Sequence, residues 1–115
     1  MPADRIAPRL ARLPAAKACG VVVPVATGFR ARLLGLALLD AEEAGPGLLI
    51  PRCRSVHTFG MRFSLDVVFL DAGGAVAGVH YGMGPRRAIR CAAAAAVLEL
   101  PSKHHSAPNV PECLP

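Results

Sequence analysis

His57-Thr58-Phe59-Gly60-Met61-Arg62-Phe63-Ser64-Leu65-Asp66-Val67-Val68-Phe69-Leu70-Asp71 gathers three of the chain's four phenylalanines, a histidine and two aspartates. Asp66 to Asp71 and Ala75 to Tyr81 are apolar runs of strand length. Ala72-Gly73-Gly74 between them predicts a hairpin turn. Upstream, Arg52 to Phe59 alternates, with Cys53, Ser55, His57 and Phe59 on one face and Arg52, Arg54, Val56 and Thr58 on the other. Phe59, Met61, Phe63 and Phe69 fit a core at strand spacing. This stretch therefore reads as the centre of a small β domain.

Working outward, Cys19 to Ala26 is Val-rich and reads as a strand, with Pro24 confining it to an edge or bulge. Thr27 is a candidate cap for a helix over residues 29–39, placing Leu33, Leu36 and Leu39 on one face. Leu48 to Ile50 is a short strand. Arg86 to Leu100 carries both signals. Pro85 and the alanines at 92–96 favour helix, whereas Val97-Leu98-Glu99-Leu100 before Pro101 favours a last strand. The organisation expected is an irregular arm over residues 1–18, one mainly β domain over 19–101, and a disordered tail over 102–115.

At 115 residues, 53% hydrophobic and 18% charged, the chain is long and apolar enough for one globular core. The uncharged run between Lys17 and Arg30 contains Pro24, and it and every other uncharged run fall well short of the ~20 residues that span a bilayer. The Arg-bearing amino terminus is broken by Asp4 and prolines and has no apolar signal core, so a cytoplasmic protein with no membrane span is expected. Four widely spaced cysteines then read as reduced thiols. The net charge is +5, and residues 47–91 hold six arginines against Asp66 and Asp71. Clustered arginines suit an anion, although eleven Arg against two Lys also fits a GC-rich coding bias. Nucleic acid is an unlikely partner, because stacking needs exposed aromatics and the phenylalanines read as core.

Three constellations could carry chemistry. His57 and Asp66 could meet across the Gly60–Ser64 bend, the carboxylate orienting the imidazole. Cys53, His57, His80 and Cys91 could ligate a metal. The first two, however, lie about 13 Å apart on an extended strand, too far for one tetrahedral ion, so no metal site is expected. Arg52, Arg54, Arg62 and Arg86-Arg87 could hold a phosphate or carboxylate. Gly73-Gly74 makes a turn and not a phosphate cradle, since no glycine-rich loop and helix follow.

Ala26-Thr27, Arg32-x-x-Gly35-Leu36, the block from His57 to Asp71, and Val97-Leu98-Glu99-Leu100-Pro101 together resemble the bacterial domain-of-unknown-function 192 family over about residues 20–101. The resemblance implies a compact sandwich or jelly-roll-like β domain with one short α-helix, and brings no established enzymatic activity with it. It also suggests that Arg32 reaches Asp66 or another carboxylate. The chain departs from the family pattern at Ser64, at Ala37, and from Ser102-Lys103-His104-His105 onward. The function expected is a non-catalytic binding or accessory module for a small anionic or polar ligand, or for a protein partner. His57, Arg62 and Asp66 would form the binding face, joined by Arg32 and Arg86, without a cofactor. The alternative is a small hydrolase-like enzyme using His57 and Asp66.

Overall fold

Every residue of Leu65–Leu70 is buried in the computed structural model, which describes residues 6–102. The elements run α1 (Pro8–Ala11), β1 (Ala15–Ala18), β2 (Val21–Pro24), α2 (Phe29–Leu34), β3 (Leu48–Pro51), β4 (Ser55–His57), β5 (Leu65–Leu70), β6 (Val76–Met83), β7 (Ala88–Arg90) and β8 (Ala96–Pro101). A four-stranded antiparallel sheet has the order β3-β8-β5-β6, and two ribbons, β1-β2 and β4-β7, stand beside it.

The apolar run of β5 follows from burial on both sides, which removes the polar alternation of a half-exposed strand. Leu65, Val67 and Phe69 face a large core with Val97, Leu36, Leu48, Ile50 and Val56. Val68 and Leu70 face a second core with Leu98, Leu100 and Val23. The β1-β2 ribbon covers this second face, whereas α1, the segment after α2, and β4 cover the first. The protein is mainly β with two short helices, as the sequence pattern predicts apart from the second helix.

The β5-β6 hairpin forms where expected. Asp71 Oδ1 accepts the N–H groups of Gly73 and Ala75, both at 2.9 Å, and Gly74 takes φ 88°, a region that favours glycine. In the ambiguous 86–100 segment strand prevails. β8 lies between β3 and β5, and its packing there outweighs the helix propensity of the alanines.

Several expectations are corrected. Residues 8–18, read as an irregular arm, contain α1 and β1, the latter paired with β2. The helix expected over 29–39 stops at Leu34, because Gly35 turns the chain with φ 55° and ψ −128°. Its N-cap is Gly28 without a side-chain bond, not Thr27. Phe59, read as core, is 53% exposed, and Leu33 is also exposed. The tail expected after residue 101 lies outside the described residues, apart from Ser102, whose N–H meets the Ser64 carbonyl at 3.0 Å.

Thr58, fully buried, ties the loop after β4 to the loop before β7. Its hydroxyl donates to the Gly84 carbonyl at 2.7 Å and accepts the Arg87 N–H at 2.8 Å. Thr58→Val keeps the shape and orphans both partners. It is expected to lower stability by about 1–3 kcal/mol in urea unfolding; an unchanged midpoint would contradict this role.

Candidate functional site

Glu99 is a carboxylate on an inner strand. It pairs with Leu48 of β3 and Val67 of β5, so its side chain points with theirs into the larger core. It is 4% exposed. A carboxylate there is costly unless it is well partnered. The Leu36 N–H supplies one hydrogen bond, yet Oε1 has no partner among the described residues. Desolvation outweighs the Leu36 bond and pushes the Glu99 pKa up to about 7.

The segment after α2 is shaped around this group. A Cβ on Gly35 would stand 2.9 Å from Glu99 Oε1, and the positive φ there is itself unfavourable to any side chain. Arg9 of α1 fixes the segment from outside, donating from one nitrogen to the carbonyls of Gly35 at 3.0 Å and Ala37 at 2.7 Å. Its partial desolvation lowers the guanidinium pKa, opposed by nearby Glu43.

Arg32, three residues before Gly35, is the second group of the site. Its terminal nitrogen donates to the Arg52 carbonyl at 2.8 Å, while its buried Nε has no partner among the described residues. Arg32, Gly35, Cys53, Ser55, His57 and Glu99 line a pocket of about 40 Å³. That volume exceeds the ~10–15 Å³ a water needs, and so admits a few heavy atoms. One small pocket is thus lined by a residue with an orphaned donor and by a residue with an orphaned acceptor.

The expected trio does not converge. His57 lies at the pocket, exposed, its ring 5.8 Å from that of Phe59. Asp66 shares the opposite face of the sheet with Leu100, its direct partner on β8. There the β5-β6 register shifts, setting Tyr81 and Gly82 against Asp66. Asp66 Oδ1 accepts the Gly82 N–H at 2.8 Å, so the carboxylate satisfies a bulge. The His57–Asp66 dyad of the hydrolase alternative is therefore not assembled, and Arg32 does not reach Asp66. Arg62 is exposed and lies 3.4 Å from exposed Asp40, a pair worth little. Arg86 sits in the loop before β7, exposed and with φ 60°. Of the five expected binding residues, Arg32 and His57 line the pocket.

In the sequence Glu99 stands out only as part of Val97-Leu98-Glu99-Leu100-Pro101. The available signal was an acidic residue amid leucines before a proline, since an unpaired buried Glu is rare. Among the described residues no group of three or more His, Cys, Asp or Glu side chains is placed to hold a metal ion. Cys53 and Cys91 are free thiols packed against the core. His104 and His105 lie outside the described residues. Among those residues no helix is long and apolar enough to cross a membrane.

A family model, DUF192, described as Uncharacterized ACR, matches residues 13–111, a wider span than the resemblance covered. Two solved structures are similar in fold. One is a protein of unknown function from Novosphingobium aromaticivorans DSM 12444, 20% identical, with a TM-score of 0.58 over 76% of this chain and 70% of that one. The other, from Sinorhizobium meliloti 1021, is described as a proposed transcription regulator. It is 22% identical, with a TM-score of 0.56 over 76% of this chain and 77% of that one. No curated protein matches the chain.

Two predictions test the geometry. Glu99 is protonated in the folded protein up to about pH 7 and has an ordinary value of 4.5. Between those values the folded state holds a proton that the unfolded chain has lost. Stability therefore falls as pH rises through this window, by about 3 kcal/mol from this group, and the loss is complete above it. Urea unfolding at pH 5 and pH 8 should show that loss in the wild type and not in Glu99→Gln. Arg32 and His57, on the same pocket, are common to both proteins and cancel in the comparison. Equal pH dependence would contradict the burial of Glu99. Separately, Gly35→Ala should lower stability by at least about 1–3 kcal/mol, and Gly28→Ala, where a Cβ meets open space, should lower it less. Similar losses would remove the close approach from the account.

Proposed function

We propose that this chain, which belongs to the uncharacterised DUF192 family, is a non-catalytic module that binds a small polar ligand by a hydroxyl group placed between Arg32 and Glu99. The supporting observation is that Arg32 and Glu99, each with one buried atom unpartnered among the described residues (Nε and Oε1), line one pocket of about 40 Å³. Arg32 Nε–H can only donate, and ionised Glu99 can only accept. A hydroxyl both accepts and donates, so it completes both groups at once. A carboxylate in the same place would face Glu99, and an ammonium would face Arg32. The anionic ligand suggested by the arginine count thus gives way, inside the pocket, to a neutral group.

His57 and Ser55 at the pocket offer further polar contacts to the rest of the ligand. Catalysis has less support, since the Cys53 Sγ–H at the pocket is directed to the Ser55 carbonyl at 3.0 Å and not to a base. Cys53 and Cys91 are free thiols but Cys19 is disulfide-bonded, which corrects the expectation of four reduced cysteines, so the proposed cytoplasmic setting draws no support from the thiols.

The test is an NMR titration at pH 8, where Glu99 is ionised, with glycerol, acetate and methylammonium as probes. Glycerol should shift the Gly35 and Leu36 amides saturably, and acetate and methylammonium should not. Arg62→Ala, remote in role and already paired with Asp40, should leave the glycerol response unchanged. Saturation by acetate or methylammonium at lower concentration than glycerol would overturn the reading, as would no response to any of the three.

A further inference from the structure

We infer that the ligand is an anionic polyol, a hydroxy acid or a phosphorylated polyol, whose hydroxyl end enters the Glu99 pocket while its charged end lies between Arg52 and Arg54; this rests on the hydroxyl reading above. The observation behind it is a second concavity next to the pocket. A groove of about 480 Å³ is lined by Arg52, Cys53, Arg54, Ala94 and Ala95. Cys53 also lines the Glu99 pocket, so the two share a wall.

Their chemistry is complementary. The groove has two exposed arginines and no carboxylate on its walls, so it favours an anion. The pocket has a buried carboxylate and is an order of magnitude smaller, so it excludes one. A single ligand using both must be neutral at one end and negative at the other. Arg32 joins the two compartments, since it lines the pocket and its terminal nitrogen donates to the Arg52 carbonyl at 2.8 Å. That bond holds Arg52 at φ 51°, a backbone region that non-glycine residues seldom occupy. The strained turn therefore sets Arg52 and Arg54 at the groove while its carbonyl is held from the pocket side. Ala94 and Ala95 form the remaining wall without charge, and the Ala95 carbonyl accepts the Cys53 N–H at 3.3 Å.

The experiment compares glycerol, glycerate and glycerol 3-phosphate by NMR titration of the full chain at pH 8 and low salt, against inorganic phosphate alone. Glycerate and glycerol 3-phosphate should bind at least about tenfold more tightly than glycerol, with the gain shrinking at high salt. Arg54→Ala, an exposed change expected to leave folding intact, should abolish most of that gain and leave the glycerol response as it was. Anionic compounds that bind no better than glycerol, or a gain that survives in both Arg52→Ala and Arg54→Ala, would overturn the inference. Glycerol binding without an anionic gain sinks only this inference; no binding by glycerol or its derivatives sinks the hydroxyl reading with it. Phosphatidylglycerol vesicles carry the same chemistry on a lipid. Release of bound protein from them by glycerol 3-phosphate, or no retention at all, supports a soluble ligand. Retention that glycerol 3-phosphate cannot reverse would overturn it.

Discussion

The desolvation of one carboxylate organises this protein. Glu99 lies on an inner strand whose neighbours leave it almost no water, and the Leu36 N–H answers it from the backbone. To bring that N–H within reach, the chain after α2 must turn sharply and without a side chain, which Gly35 alone permits. The turn is then braced by Arg9, and α2 ends where it does because of it. A short helix, a glycine, a clamp from the first helix and the pocket beside Arg32 thus share one cause.

The two buried carboxylates show how much the face of a strand decides. Asp66 and Glu99 lie on adjacent strands and are both almost fully buried. Asp66 faces the second core, where the β5-β6 bulge offers it the Gly82 N–H. Glu99 faces the first, where one oxygen remains without a partner. Asp66 is therefore satisfied within the fold, whereas Glu99 Oε1 is left for the proposed ligand to complete. Unsatisfied buried groups are uncommon enough that each calls for an explanation, and a neighbouring orphaned Arg32 Nε supplies a shared one.

Much of the fold could be read before the strands were seen. The run from Leu65 to Leu70, the turn at Gly73-Gly74 and the last strand before Pro101 were legible because burial and turn chemistry are local in sequence. The end of α2 was less so. The leucine spacing runs on to Leu39, and nothing local reveals that Gly35 must lie against a residue sixty-four positions later. Alternation also misplaced Phe59, because β4 ends at His57 and the chain turns outward there. For the site, Arg32 and His57 were legible as polar residues in quoted motifs. The grouping with Asp66 failed because a strand's two faces differ by one residue, and only the pairing register tells which face Asp66 occupies. Residues of the motifs around Arg32-x-x-Gly35-Leu36 and Leu98-Glu99-Leu100 line one pocket.

The central claim is that Glu99 is a buried carboxylate with an unfilled hydrogen-bonding position beside Arg32. Carbon-13 detection of the Glu99 carboxyl across a pH titration addresses it most directly, with Arg32→Lys recorded in parallel to show whether the neighbouring guanidinium is felt. The account predicts a midpoint near 7 in the free protein. A midpoint near the ordinary glutamate value of 4.5 would contradict it.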